Sequence, residues 1–390
     1  MKIFIETETL AVYPEGIPVY ILNILNRLKR QYPDELDFYT LLGCWYRKYN
    51  SRLKTALDLI EPDTLKISRN WLPRPSFKYL PGDLSRFLIY PVIPATDLYH
   101  ATANVISPNM PKNYNKLVLS VMDIVFLECA GRGYNRPEWE SYMSRKLSES
   151  MEKVDVVITI SEFTKNELCR YFKFPEERII VTHLASQWGN IVEQGNDAAD
   201  KEYLAGRGLA KDKYFISVGT ISPRKNFQTL MTVYQEFNKK NPGSRLVIVG
   251  KNGWCSEKIM RQIEELKDIV VWIPSVSEDE LKLLYRNARA LFMISYYEGF
   301  GLPLIEAMQC GCPVCYASGS SLEEVSGSAG LMVKPDDRDG ILSNMQSLWD
   351  DSDLCYKLRC NGLRRADDFS WEKTAEGTFQ AYKLAMSLRH

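Results

Sequence analysis

The run EGFGLPLIE (298–306) sets two carboxylates, Glu298 and Glu306, eight positions apart, with Gly299, Gly301 and Pro303 between them. The apolar ALFMIS (290–295) ahead of it reads as a buried strand. Pro303 suits the first turn of a helix, where its missing N–H costs nothing. Residues 296–302 therefore form a strand-to-helix loop. Its glycines let the backbone approach a ligand closely, and the N–H groups and dipole of the helix favour an anion there, usually a phosphate. A carboxylate beside a phosphate repels it, so both acids are expected to bind hydroxyl groups. Two hydroxyl-binding carboxylates around a phosphate cradle describe a sugar–phosphate–nucleoside ligand. Either acid alone also fits a plainer role, capping or salt-bridging a helix N-terminus.

A second group of reactive residues lies in VGTISPRKNFQTLM (218–231), where a strand ends at Gly219 and Arg224-Lys225-Asn226 precede a helix. Arg grips phosphate oxygens in a fork and Lys adds a compact charge, so the pair is suited to neutralising a diphosphate leaving group without metal. The plainer reading is a solvated basic pair. A third segment, YPEGIPVYILNIL (13–25), follows the first strand, and Gly16 there opens a helix that offers backbone donors to the same diphosphate. No G-x-G-x-x-G follows that strand, which counts against hydride transfer.

Something must hold these segments in place, and 390 residues exceed the roughly 250–300 at which one core stops growing. Short apolar runs alternate with amphipathic stretches throughout. The first set comprises KIFIE (2–6), DFYTLLG (37–43), LYHA (98–101), KLVLSVM (116–122), VDVVITI (154–160) and RIIVTH (178–183). A second set runs from YFISVG (214–219) through RLVIVG (245–250), IVVWI (269–273), ALFMIS and PVCYA (313–317) to GLMV (330–333). Continuous rather than alternating apolar runs predict parallel strands buried on both faces. The fold class is thus α/β, with a first domain over 1–190 and a second over 205–372, joined by a strand-free connection over 187–210. An amphipathic helix over 373–390 is expected to pack back on the first domain. Ligands of such sheets bind beyond the carboxyl ends of the strands, where all three segments fall.

Lys+Arg and Asp+Glu balance at 49 each, so no global field draws the chain to nucleic acid. The short, acid-interrupted MKIFIETETL reads as a strand rather than a signal peptide, and no stretch reaches the ~18–20 apolar residues of a membrane span. A cytoplasmic location is the expectation. Cys310, Cys312 and Cys315 have a metal-like C-x-C-x-x-C spacing, but no suitable fourth ligand lies nearby in sequence, and small buried thiols are expected.

EGFGLPLIE, together with GTISPRKN, SEFTKNELCRYF (161–172), EAMQCGCPV (306–314) and FSWEKTA (369–375), resembles the E-x7-E pattern of the retaining glycosyltransferases of family 4. The resemblance spans nearly the whole chain and is nearest to bacterial mannosyl- or other hexosyltransferases of surface polysaccharide and lipopolysaccharide assembly. It implies the GT-B arrangement of two Rossmann-like domains facing across a cleft, and a reaction that requires no metal or cofactor. It implies that Arg224 and Lys225 hold the donor diphosphate, that Glu306 binds the ribose and that Glu298 contacts the sugar's hydroxyls. Phe300, Gly301 and Leu302 would offer amides, Gly16 would approach the diphosphate and Ile273 the nucleobase. The expected donor is a nucleotide sugar, GDP-mannose or a UDP-sugar, and the acceptor a saccharide or lipid-linked saccharide. Two departures stand out. Met122-Asp123 replaces the His-Asp of many relatives, leaving Asp123 to serve the acceptor side, and Thr220 stands where some relatives have Arg.

The acceptor is expected on the first domain. Between residues 47 and 86 nine basic residues face four acidic ones, a net of +5 among aromatics. That patch suits an anionic membrane surface or a lipid-diphosphate-linked sugar, and equally a solvated helix face. His100, near the end of the LYHA strand, fits either the lining of the acceptor cleft or a packed structural role. Retention calls for same-face attack or a double displacement. No carboxylate stands out as a nucleophile, which favours the same-face route with the leaving diphosphate taking the acceptor's proton. A nucleotide-sugar epimerase, a non-catalytic sugar-binding protein and a retaining glycoside hydrolase are the alternatives, the last having no use for Arg224 and Lys225.

Overall fold

The computed structural model describes residues 1–7, 9–12, 16–43, 55, 57–70, 94–107, 113–188 and 197–388. They divide into two compact units, one of residues 1–124, 142–184 and 371–390, the other of 125–141 and 185–370. Sequence reading runs the first domain unbroken to residue 190. In the structure residues 125–141 instead join the second unit, where the Tyr134 ring stacks on Tyr296 at 5.6 Å between centroids. Within the strand-free 187–210 connection, Asp197–Ala205 is a helix. Buried Asp200 fastens it to the second unit, accepting from Arg286 Nη2 at 2.7 Å and Asn287 Nδ2 at 2.9 Å. Residues 189–196 lie outside the described residues.

The first unit holds a seven-stranded sheet: β1 (Lys2–Ile5), β2 (Asp37–Gly43), β3 (Leu65–Asn70), β4 (Thr96–Ala101), β5 (Tyr114–Val121), β6 (Val156–Thr159) and β7 (Ile179–Val181). Their order is β3-β2-β1-β4-β5-β6-β7, and every pair is parallel. Six of the seven coincide with the apolar runs. The exception, β3, reads LKISRN, too polar to stand out. It is an edge strand paired only with β2, so it has less apolar surface to bury than a central strand.

The second unit repeats the plan with six parallel strands: β8 (Tyr214–Val218), β9 (Arg245–Val249), β10 (Val270–Ile273), β11 (Ala290–Met293), β12 (Val314–Ala317) and β13 (Leu331–Val333). Their order is β10-β9-β8-β11-β12-β13. In both sheets the chain winds outward from the centre in one direction and then restarts on the other side. Strand order therefore reverses between β1 and β4 in one unit and between β8 and β11 in the other, the place where such sheets open a crevice for ligands.

The helix Trp371–Ser387 completes the first unit by packing along β5, β6 and β7 and against the helix Ile17–Gln31. Arg27 pairs with Glu372 at 2.9 Å, and Thr374 Oγ1 donates to the His183 carbonyl at 2.6 Å. Deeper in, His100 has no exposed surface. Its Nδ1 lies 2.8 Å from the Tyr382 hydroxyl, and its Nε2 lies 2.7 Å from Ser120 Oγ, which is 2.9 Å from the Tyr20 hydroxyl. A neutral imidazole, donating at one nitrogen and accepting at the other, satisfies this chain of hydroxyls.

Burial lowers the His100 pKa from 6.5 to about 3. Below about pH 6.5 the unfolded chain takes up a proton that folded His100 refuses until about pH 3. The stability this group contributes is complete above 6.5 and drains away as pH falls through that window. The urea midpoint of the wild type should therefore decline between pH 6.5 and 5, with up to about 1.4 kcal/mol per pH unit from this residue. The same profile for His100→Gln should be flatter, and equal slopes would remove His100 as the cause.

Candidate active site at the β8/β11 reversal

The loop leaving β8 turns at Gly219 (φ 151°), whose N–H donates to the Val249 carbonyl at 2.9 Å. The neighbouring strand end is pressed against it: a Cβ on Gly250 would stand 2.0 Å from the Gly219 oxygen. Pro223–Lys225 then make a single 3-10 turn, and Asn226, in the left-handed region at φ 58°, starts the helix Phe227–Lys240. The Asn226 amide nitrogen donates to the carbonyls of Ile294, at 3.2 Å, and Pro335, at 2.8 Å. That one side chain ties the β8 loop to the loops after β11 and β13.

The β11 loop returns the contact. Tyr296 N–H donates to the Arg224 carbonyl at 2.9 Å, and the Arg224 guanidinium donates to the Tyr297 carbonyl. Ser321 Oγ lies 2.8 Å from the Glu298 carbonyl and 3.0 Å from that of Phe300, so its hydroxyl donates between them and fixes the glycine turn. Gly301 takes φ 109°, and a Cβ there would meet Leu322 Cδ2 at 2.5 Å. The turn demands glycine at this position, and any Cβ would also displace the end of the Leu322 side chain. The helix Leu302–Gln309 opens directly after it.

Between these loops Arg224, Lys225 and Glu298 come together, although 73 residues separate Lys225 from Glu298 in sequence. Lys225 Nζ is 2.6 Å from Glu298 Oε1, and Arg224 Nη1 is 2.8 Å from Oε2. Glu298 is 7% exposed. Burial by itself would raise its pKa, but the charges of Arg224 and Lys225, with hydrogen bonds from Lys225 and Ser295, outweigh that and bring it down to about 2. Glu306 lies in the opposite environment. It sits half-buried on the helix that the loop opens, and Tyr285 Oη donates to its Oε2 at 3.3 Å. Burial pushes its pKa up to about 7, against the Tyr285 bond and with a small push from the Glu278 charge. Near neutral pH, Glu298 is fully charged and Glu306 is divided between its two forms.

Phe300, Gly301 and Leu302 belong to the same loop and helix start. Ile273 ends β10 at the sheet edge, its carbonyl accepting from Gly250 N–H at 3.0 Å. In the first unit, Gly16 (φ 77°) heads the helix Ile17–Gln31 behind β1, where that sheet's strand order reverses, with nothing within 4 Å of a Cβ placed on it. Asp123 is half-buried just after β5. His100 is enclosed in the core, so of its two sequence readings the geometry is that of the packed residue. Most of the basic segment 45–90 lies outside the described residues. Cys310, Cys312 and Cys315 are buried, and desolvation pushes all three thiols up. Among the described residues no helix is long and apolar enough to cross a membrane.

Sequence reading set Glu298 and the Arg224–Lys225 pair around one ligand without a contact between them, and it gave no role to Tyr285 or Ser321. The Glu298 contact needed the strand order, which makes β8 and β11 neighbours. Ser321 had a faint signal, as part of a Ser-Ser pair before an acidic helical turn.

Comparison with known proteins bears on this half of the chain and beyond it. Residues 201–365 match the family described as Glycosyl transferases group 1. The O-antigen chain mannosyltransferase B of Escherichia coli is 34% identical over 282 residues, covering 70% of this chain and 72% of that one. The structure of Alr3699/HepE from Anabaena, in complex with UDP and glucose, superposes with a TM-score of 0.72 over 99% of both chains at 15% identity. WaaG, a glycosyltransferase involved in lipopolysaccharide biosynthesis, gives a TM-score of 0.67 over 98% of this chain and 99% of that one at 13% identity. At such identities the likeness concerns the fold, and the two Rossmann-like units are those of the GT-B class. With these strand orders, this charged cluster at the second reversal and a relative matched over most of its length, the chain belongs to the group 1 glycosyltransferases.

Proposed function

We propose that the chain is a retaining hexosyltransferase that takes mannose from a nucleotide-diphosphate sugar, GDP-mannose in the first instance, and adds it to a saccharide or lipid-linked saccharide. The observation that carries this reading is the paired cations Arg224 and Lys225 at the β8/β11 reversal, beside a glycine turn that opens a helix. The mannosyltransferase relative supports the choice of sugar. Arg224 and Lys225 hold the diphosphate, with the amides of Phe300, Gly301 and Leu302 beside it. Glu306 accepts from the ribose hydroxyls, Ile273 lies against the base, and Glu298 reaches the sugar. Gly16 and Asp123 serve from the first unit.

In the reaction the bond between the anomeric carbon and the diphosphate oxygen breaks. Negative charge grows on the leaving group, where Arg224, Lys225 and the helix N-terminus stabilise it. The departing oxygen takes the acceptor's proton as the acceptor attacks from the same face. Fixed donors aimed at developing charge are the main source of rate, each worth ~3–4 kcal/mol.

Three measurements test this. In a calorimetric panel of GDP-mannose, UDP-glucose, UDP-N-acetylglucosamine and ADP-glucose, GDP-mannose should bind saturably, and Lys225→Ala should weaken it about 10–100-fold, the worth of a charge-assisted hydrogen bond. No binding across the panel by folded protein would exclude a donor site. The product's anomeric configuration, read by NMR, should match the donor's, and inversion would rule out the same-face route. Finally, the Glu306 carboxylate is the better acceptor for two hydroxyls, so affinity for the nucleotide sugar should rise as pH passes upward through about 7. From pH 6 to 8 the gain should be about tenfold, and Glu306→Gln should flatten it.

A further inference from the structure

The charged cluster has a property that a simple phosphate cradle lacks: its anion position is already filled from within the chain. Both Glu298 oxygens are engaged, one by each cation, and none of the three side chains is more than 20% exposed. Two cations facing one carboxylate leave a net charge of +1, where Arg224 and Lys225 alone would present +2. A diphosphate arriving between them meets a competitor of its own sign held by the same donors.

We propose that Glu298 is an internal counter-ion that exchanges places with the donor's diphosphate: it holds Arg224 and Lys225 while the site is empty, yields them when a nucleoside diphosphate group binds, and takes them back to expel the product. This rests on the reading of the cradle given above and adds a role for Glu298 in product release. The carboxylate suits such an exchange. It sits on a loop fixed at its backbone by Ser321, so the side chain can turn while the chain path stays put. Once released from the cations it lies beside the position of the donor sugar and is free to accept from a hydroxyl, so one residue serves both states of the site. Pairing the cations with Glu298 also spares the fold part of the cost of holding two half-buried positive charges.

The test is the affinity of GDP and UDP, which carry the diphosphate and no transferable sugar. If Glu298 only binds sugar hydroxyls, Glu298→Gln should leave their affinity unchanged. If Glu298 is the counter-ion, Glu298→Gln should bind the preferred nucleoside diphosphate at least about fivefold more tightly, with a steeper loss on adding salt, and turnover should fall as product release slows. Unchanged or weaker binding by folded Glu298→Gln would overturn the proposal. Lys225→Ala checks the cradle separately: if it binds the nucleoside diphosphate as well as wild type does, the underlying site assignment fails whatever Glu298 does. Should Glu298→Gln not fold, Lys225→Met can be compared with Lys225→Met/Glu298→Gln. There Arg224 stands alone against the carboxylate, and removing Glu298 should again tighten binding, with equal affinities counting against exchange.

Discussion

A parallel sheet that grows outward from its centre in both directions has to part its connections where the directions meet, and in the second unit that parting lies between β8 and β11. Neighbouring strands thus send their loops up side by side before the chain leaves for opposite faces. Arg224 and Lys225 ride on one loop and Glu298 on the other. The backbone bond between Tyr296 and Arg224, and the Asn226 amide spanning two further carbonyls, hold the loops at a fixed separation. The chemistry of the site is a result of sheet order first and of residue type second.

The two acids of the glycine turn show how environment divides one residue type into two behaviours. Glu298, between two cations, is driven toward a pKa of about 2, whereas Glu306, desolvated and with only the Tyr285 hydroxyl donating to it, is driven toward about 7. Divergence of this kind between nearby carboxylates is what separates groups that must stay charged from groups that can exchange a proton. Buried ion pairs are poor sources of stability, because desolvation cancels much of their attraction. A charged triad in this position is better understood as part of the binding chemistry than as a fastening of the fold.

Much of this was legible in the sequence, for identifiable reasons. Strands buried on both faces are continuous apolar runs, so KLVLSV and RLVIV announced themselves, while the half-polar edge strand LKISRN did not. The glycine turn was readable because only glycine meets the demands on Gly301. What stayed hidden is long-range. No spacing rule joins Lys225 to Glu298, or His100 to Tyr382 across 282 positions, since both contacts depend on which strands and helices become neighbours. Nor does local pattern say that residues 125–141 pack with the second unit rather than the first.

The helix Trp371–Ser387 carries a consequence for how the chain is made. It covers β5, β6 and β7 and supplies the hydroxyl partner of His100, yet it is translated some 190 residues after β7. At ribosomal speeds of about 5–20 residues per second that is a delay of roughly 10–40 s. Throughout it the apolar face that the helix will cover has no lid, while residues 185–370 of the second unit are being synthesised. The half of the protein that emerges first is therefore the half that finishes folding last, and the nascent chain passes through an interval in which a completed second unit is tethered to an unfinished partner.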